Sequence, residues 1–307
     1  MPLALSTSWN ASGHTSGSKM LFEIKGLGFE KVELSFNLTS SMVEEISELT
    51  RAKEIKVISV HNFCPVPEGV EREIALPDYF SLSSTDEQQR RKAVKHTENT
   101  IDTACRLGAS CVVVHAGRVE VADRTRELTG LYNRGKAGSG GFALIKGKAV
   151  EERRKFAGKF LSAALKSLEE LESYSSKNSL KLGIENRFYY REIPSFDEIG
   201  LILGHFKGSC LGYWHDTGHA QIMEKLGFAV HQDYLDKYLS QAIGVHLHDV
   251  SGCQDHLPPG KGEFDFSRLK PNLNRKTLKV TEIHHPASAE DIKEGRNFLA
   301  RVFDEKY

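Results

Sequence analysis

Eight short apolar segments recur along the chain, and this repetition constrains the fold more than any other feature of the sequence. Several of them, such as 111–114, are almost continuously apolar, which is typical of strands covered on both faces in a parallel sheet. The predicted strands are residues 3–7, 31–35, 55–61, 110–115, 181–185, 211–215, 243–248 and 278–283.

Helical patterns separate the predicted strands. Apolar residues spaced by three and four positions run through 94–105, where Gly108 supplies a natural helix end, and a second stripe runs through 156–171. Eight strands alternating with helices over 307 residues are what a (β/α)8 TIM barrel requires. The sequence therefore predicts an α/β fold, with one barrel domain of parallel strands spanning 1–307.

A doubly wound open sheet is the main competing fold. Such a sheet usually carries a G-x-G-x-x-G fingerprint directly after its first strand. Residues 9–14, which follow the first predicted strand here, do not match that pattern. The barrel is therefore favoured.

The charge balance bears on the choice of partner. Lys and Arg together number 41, as do Asp and Glu, so the formal net charge is zero. A protein that works mainly on nucleic acid usually shows a basic excess or a basic face. We therefore expect a small-molecule substrate rather than nucleic acid, although a local basic patch keeps the second partner open.

Cysteine usage and the apolar runs indicate the compartment. The five cysteines are odd in number and form no C-x-x-C pair, which argues against a disulfide scaffold or a structural zinc module. The N-terminus lacks a secretory pattern, and no run approaches the ~20 apolar residues of a membrane span. We expect a cytoplasmic protein with no membrane partner, while a homo-oligomer stays open.

Two long interruptions of the pattern are predicted to be loops on the active face of the barrel. Residues 62–85 are rich in proline, and residues 117–148 are rich in Arg, Lys and Gly without the spacing of a Walker loop. Such loops are often lids, and the arginines at 118, 124, 126 and 134 would suit a sugar phosphate. A plain solvated lid is the equally supported alternative for 117–148.

Acidic and histidine side chains stand at the ends of six consecutive predicted strands. Strand ends of a barrel converge on one mouth, where the active sites of this fold lie. Together the six ends predict a metal-binding or acid–base site at that mouth. The residues are His61, His115, Glu185, Asp216, His246 with His248, and Glu282.

The ligand types indicate which metals would fit. Oxygen and nitrogen donors without a thiolate pair suit Mn²⁺, Zn²⁺, Co²⁺ or Mg²⁺. A metal-free site stays open at this point, with Glu185 and Glu282 as an acid–base pair. Because nearby carboxylates repel each other and a cation relieves that repulsion, a divalent metal ion is the favoured cofactor.

Six short motifs, taken in order, resemble the xylose isomerase-like TIM barrel superfamily. That superfamily includes sugar and sugar-phosphate isomerases and epimerases, and the endonuclease-four type of AP endonucleases. Each motif is weak alone, whereas their order and spacing are specific. The motifs are 28–34 (GFEKVEL), 183–186 (GIEN), 216–219 (DTGH), 245–249 (VHLHD), 259–266 (PGKGEFDF) and 280–282 (VTE).

The resemblance implies a role for each matched residue. Glu185, Asp216, His246 and Glu282 correspond to the four metal ligands of the epimerases, and Glu185 with Glu282 to their catalytic acid–base pair. His246 is preferred to His248 because the family histidine stands three residues before an acid. The implied activity is metal-dependent isomerisation or epimerisation of a sugar, a sugar phosphate or a related polyol or keto compound, through an enediolate.

Further residues are expected to contact substrate or extra metal ions. Arg187, which follows a presumed ligand, Trp9 in the loop after the first strand, and Lys261 in a matched motif are predicted substrate contacts. The candidates for additional metal ligands or substrate contacts are His61, His115, His219 and His256.

Those four histidines also support a rival function. They stand near the positions where the endonuclease-four type places extra zinc ligands, so a multinuclear zinc phosphodiesterase is the alternative. Gln254 stands where that type has Asp, which weakens the resemblance. A barrel that binds a ligand without catalysis ranks third, because none of the four presumed ligands is missing.

Overall fold

The computed structural model describes residues 3–303, and eight parallel strands within them close into a barrel. Residues 3–303 contain ten strands, namely β1 (Ala4–Ser6), β2 (Lys31–Leu34), β3 (Lys56–His61), β4 (Cys111–Val114), β5 (Lys181–Glu185), β6 (Leu211–Asp216), β7 (Ala242–Leu247), β8 (Asp249–Ser251), β9 (Gln254–Leu257) and β10 (Leu278–Thr281). Around the barrel the order is β1, β10, β7, β6, β5, β4, β3 and β2. The predicted (β/α)8 barrel is confirmed, and the closed sheet rules out the doubly wound alternative.

The chain segment that connects β7 to β10 contains an antiparallel hairpin of β8 and β9, which the sequence did not predict. The α-helices are α1 (Gly17–Gly26), α2 (Ser40–Arg51), α3 (Glu87–Arg106), α4 (Thr125–Asn133), α5 (Gly140–Lys177), α6 (Phe196–His205), α7 (Thr217–Lys225), α8 (His231–Lys237) and α9 (Ala289–Val302). No helix within residues 3–303 combines the length and apolar character that a membrane crossing needs.

The prediction of a long loop at 117–148 is wrong. Helix α4 lies within it, and α5 begins at Gly140 and runs for 38 residues. The Ser139 hydroxyl caps α5 by accepting a hydrogen bond from the backbone N–H of Phe142, whose side chain is buried. Glycines near a helix start therefore gave the appearance of a loop. The other predicted loop, 62–85, contains one 3-10 turn (Arg72–Ile74) and is otherwise irregular.

Strand alternation decides which side chains face the barrel interior. Along β6, Tyr213 belongs to the core between barrel and helices, whereas Trp214 belongs to a separate cluster inside the barrel. Side chains alternate between the two faces of a strand, so Gly183 and Glu185 of β5 face the barrel interior, as do Gly244 and His246 of β7. The inward row of each strand thus ends in a polar side chain at the mouth.

Trp214 fills the barrel below that mouth. Its fully buried ring packs with Ala4, Ile58, Cys111, Val113 and Val280, which form an apolar layer across the interior. The glycines of the neighbouring strands make room for the ring, since a Cβ built on Gly244 would lie 2.0 Å from an indole carbon. This layer is the floor on which the polar mouth rests.

The Trp214 layer generates a stability prediction. Gly244→Ala should lower the free energy of unfolding by about 1–3 kcal/mol, because the added methyl group overpacks a filled interior. Gly158→Ala in α5 is the matched control, since open space surrounds that position and alanine favours a helix. Urea unfolding followed by circular dichroism measures both, and equal midpoints for the two variants would contradict the packing described here.

Candidate metal centre

Four side chains from neighbouring strands converge at the barrel mouth. Glu185 ends β5, Asp216 ends β6, His246 lies in β7 and Glu282 follows β10 directly. All four are buried, and each offers a ligand atom within 4.8 Å of the others. The Nδ1 atom of His246 lies 2.6 Å from a Glu185 oxygen, 3.0 Å from Glu282 and 3.6 Å from Asp216. The structure thus brings the sequence-predicted set together.

A fourth carboxylate orients the histidine. Glu33 of β2 is fully buried, and its Oε1 lies 2.8 Å from Nε2 of His246. Its other oxygen accepts a hydrogen bond from the Ser59 hydroxyl at 2.7 Å. If His246 donates its Nε2–H to Glu33, its Nδ1 lone pair is presented to the other three acids. A glutamate inside an apolar strand marks Glu33 as a possible buried site residue, but the sequence does not predict its pairing with His246.

The charges of this group require a compensating cation. Burial alone would raise the pKa values of Glu185 and Glu282, but the charge of His246 and its hydrogen bonds hold both well below the usual range. Burial would lower the pKa of His246, whereas the surrounding carboxylates of Glu282, Glu33 and Glu185 raise it well above its ordinary value. Positive charge is therefore strongly favoured at the point where the ligand atoms meet.

The donor set suits a divalent metal ion. Three carboxylates and one imidazole nitrogen are the ligands that Mn²⁺, Zn²⁺, Co²⁺ or Mg²⁺ accept in proteins. The Glu33–His246 contact is the hydrogen bond that a metal-bound histidine normally makes with its second ring nitrogen. The residues present therefore fit such an ion, with Glu185, Asp216, His246 and Glu282 as its holders.

A second group shares Glu185. His61, His115 and Glu185 offer ligand atoms within 4.8 Å of one another, and all three are buried. The Nε2 atom of His115 lies 2.8 Å from Oε2 of Glu185, and that of His61 lies 3.8 Å from the same oxygen. Asp78, delivered by the 62–85 loop, lies 3.5 Å from the other ring nitrogen of His115. Sequence reasoning missed Asp78 because nothing in an irregular loop fixes where a side chain points.

Further histidines gather on the opposite side of the mouth. Asp216 groups with His219, His248 and His256, and a last group joins His256 to Glu282 and His284. His248, passed over in favour of His246, lies 2.9 Å from both Asp216 oxygens. All four histidines predicted as extra ligands thus belong to groups of potential ligands.

A cavity of about 280 Å³ opens over these groups. Glu185, Glu282 and Arg187 form part of its polar wall, and Phe36 and Phe188 part of its apolar wall. Of the predicted substrate contacts, Arg187 therefore reaches the cavity. It lies only 6% exposed, with Nη1 2.8 Å from Oε2 of Glu185.

Two predicted substrate contacts lie elsewhere. Trp9 is buried in the core, and its indole N–H donates to the carbonyl of Ala287 at 2.8 Å. Lys261 reaches out to α9, with Nζ 2.5 Å from Glu294. Neither lines the cavity among the described residues, because one side chain is needed for packing and the other pairs at the surface.

Three of the four arginines suggested for phosphate binding pair with acids instead. Arg118, Arg124 and Arg126 form ion pairs, and Arg134 caps the end of α4. The acidic partners of the first three are Glu120, Glu152 and Asp123, respectively. None of the four belongs to the described lining of the 280 Å³ cavity.

Sequence comparison assigns the family. Residues 21–302 match the family described as the xylose isomerase-like TIM barrel. The chain belongs to this family. No curated protein sequence matches it. The resemblance drawn from the six motifs is therefore confirmed at the level of the family.

Solved structures share the fold of this xylose isomerase-like barrel at low sequence identity. L-ribulose 3-epimerase is 15% identical, with a TM-score of 0.70 over 99% of this chain and 95% of the other. D-psicose 3-epimerase from Clostridium cellulolyticum, solved with D-tagatose, is 12% identical, with a TM-score of 0.68 over the whole of both chains. The IolI protein, solved with a zinc atom, is 13% identical, with a TM-score of 0.66 over 99% and 98%. At these identities the comparison establishes the fold.

The Glu33–His246 contact generates a prediction about metal affinity. Glu33→Gln should weaken binding of a divalent ion by about 10–100-fold, because the charge that orients and polarises His246 is lost. Isothermal titration with Zn²⁺ and Mn²⁺ measures the change. Ser59→Ala keeps the carboxylate and should change affinity by much less, so equal effects of the two substitutions would contradict the role of Glu33.

Proposed function

We propose that this protein is a divalent-metal-dependent isomerase or epimerase acting on a sugar, a sugar phosphate or a related polyol or keto compound. The observation that carries the proposal is the convergence of Glu185 and Glu282 with Asp216 and His246 beneath one cavity. Both glutamates line that cavity and also belong to the ligand group. One bound substrate can therefore meet both carboxylates.

The two glutamates supply the proton transfers. They enter from β5 and from the end of β10, with β6 and β7 between these strands in the barrel. One carboxylate removes the proton from the carbon next to the substrate carbonyl, leaving an enediolate. The other carboxyl group, after taking up a proton from water, returns it to the opposite face of that carbon and inverts it. Alternatively, return of the proton to the neighbouring carbon, with transfer of the hydroxyl proton between the two oxygens, moves the carbonyl. Such acid–base help contributes about 10²–10⁴ in rate.

The surroundings favour this chemistry. A divalent ion, when bound, supplies a Lewis acid that stabilises negative charge developing on substrate oxygens. The lowered pKa values of Glu185 and Glu282 favour the ionised carboxylate, which is the form that the abstracting base must have. A cavity of about 280 Å³ lies at the low end of small-molecule pockets and so suits one sugar ring or open chain.

The structural neighbours add support by analogy. Two of them are 3-epimerases of ketoses, and a third was solved with a zinc atom. A shared fold does not by itself fix an activity, so the glutamate pair and its ligand group carry the proposal.

A specific observation favours a second candidate, a multinuclear zinc phosphodiesterase. His61 and His115 group with Glu185, while His219 and His256 group with Asp216, and each acid also belongs to the central set. Shared carboxylates are what two or three ions about 3.5–4 Å apart would need to cleave a phosphodiester. A sugar epimerase that uses one metal ion would not require all four histidines.

The proposed acid–base pair generates a prediction about turnover. Glu185→Gln and Glu282→Gln should each keep the fold and lower turnover by at least about 10². Proton exchange next to the carbonyl, followed by NMR in D₂O over a panel of ketoses and sugar phosphates, measures the loss. Glu120→Gln, an exposed glutamate paired with Arg118, is the matched control. Full exchange activity in both site variants would overturn the mechanism.

Metal content separates the two candidate functions. Elemental mass spectrometry of the purified protein should find one divalent ion per chain if the isomerase proposal holds. Two or three zinc ions per chain would instead favour the phosphodiesterase, and abasic DNA and simple phosphodiesters would then be the first substrates to assay. Dialysis against a chelator should remove the ion and abolish activity, and added metal should restore it.

A further inference from the structure

Arg187 places a buried positive charge inside the second ligand group. The residue follows β5 two positions after Glu185, and only 6% of its side chain is exposed. Its guanidinium contacts Glu185, Glu192 and Asp78 at 2.8, 3.4 and 3.8 Å, and it also contacts His115. Arg187 is therefore held by acids on two sides, one inside the ligand group and the others outside it.

The inner contacts of Arg187 involve the same atoms that a metal ion would use. Its Nη1 touches Nε2 of His115 and Oε2 of Glu185, and these two atoms lie 2.8 Å apart. Together with His61 they form the second group of potential ligands. A metal ion bound about 2.0–2.2 Å from these atoms would lie no more than about 4 Å from the guanidinium nitrogen, whose like charge would repel it. The two cations therefore disfavour each other at this place.

Hydrogen bonding shows the same conflict. A ring nitrogen either donates or accepts a hydrogen bond, so Nε2 of His115 cannot donate to Glu185 while accepting from Arg187. If Nε2 carries a proton, that N–H points at the N–H of Arg187, which is repulsive. If Nε2 carries a lone pair instead, the lone pair points at the carboxylate of Glu185, which is also repulsive. One cation between the imidazole and the carboxylate satisfies both lone pairs. The group is thus built for a single cation at a time.

Acidic side chains and open space on the outer side of Arg187 allow its guanidinium to adopt a second position. Its Nε already lies 3.4 Å from Glu192, and one of its terminal nitrogens lies 3.8 Å from Asp78. Besides the 280 Å³ cavity, the side chain borders a neighbouring cavity of about 710 Å³, which Glu192 lines as well. An outward position of the guanidinium would keep acidic partners while leaving His61, His115 and Glu185 to another cation.

We propose that Arg187 and a divalent metal ion compete for the group of His61, His115 and Glu185. The guanidinium is the resident cation of that group, and it limits the protein to one tightly held ion. A second ion binds only when Arg187 turns towards Glu192 and Asp78. The proposal takes the central set of Glu185, Asp216, His246 and Glu282 from the proposed function, but it concerns a different place at the mouth.

The test is the number of zinc ions bound, read by native mass spectrometry and equilibrium dialysis over a series of Zn²⁺ concentrations. Arg187→Met should bind a second ion at least tenfold more tightly than the wild type does. Arg187→Lys keeps the charge and should retain most of the competition. Arg126→Met, which removes an exposed arginine, is the matched control and should behave as the wild type. Adding His115→Ala to Arg187→Met should remove the gained ion.

A second variant guards against failure of Arg187→Met to fold. Glu192→Gln keeps shape but removes the nearest outer acid, so Arg187 should stay at Glu185 and the second ion should bind more weakly than in the wild type. These opposite shifts are the signature of competition. Circular dichroism verifies the fold of each variant.

The outcomes separate this proposal from the proposed function. One ion in the wild type without a gain in Arg187→Met, or equal second-ion affinity in Glu192→Gln and the wild type, overturns the competition and leaves the central site intact. No ion in the wild type but one in Arg187→Met, lost with His115→Ala, supports the competition and overturns the central site. No ion in either protein overturns both.

Discussion

Buried carboxylates gathered around one imidazole are the interaction on which the mouth of this barrel depends. Glu33, Glu185 and Glu282 all surround His246, and Asp216 stands beside them. Removing so many negative charges from water is costly unless positive charge balances them. A protonated His246 or a bound divalent ion can provide that charge. Since a metal ion that binds only the folded chain also stabilises it, occupancy of the centre and stability of the barrel are coupled.

The interior beneath this group makes its electrostatics strong. The Trp214 ring fills the barrel and meets the His246 ring edge-on, with the centroids 5.1 Å apart. An apolar floor keeps water from screening the charges from below, so each contact at the mouth acts in a low dielectric. The close approach of Gly183 and Gly244 to the indole allows this filling. The packing of the barrel and the chemistry of its mouth therefore rest on the same inward rows of side chains.

The groups of potential metal ligands at the mouth share several of their residues. Glu185 belongs to two groups of potential ligands, and Asp216, His256 and Glu282 are shared in the same way. A cation at one position therefore changes the charge available at the next, so the number of ions cannot be read from the ligands alone. The positive charge of Arg187 affects the number of ions that bind, because the guanidinium already occupies one of these positions.

The sequence by itself determined the barrel and the convergence of Glu185, Asp216 and His246, because strand alternation is local and strand ends of any barrel meet at one mouth. The tertiary structure decided what depends on contacts between distant segments. The helices in 117–148 form because buried packing outweighs a glycine-rich composition, and Trp9 and Lys261 turn to partners far along the chain. The Glu33–His246 pair joins residues 213 positions apart. No local pattern specifies such a pairing, because only the closed barrel brings the two side chains within hydrogen-bonding distance.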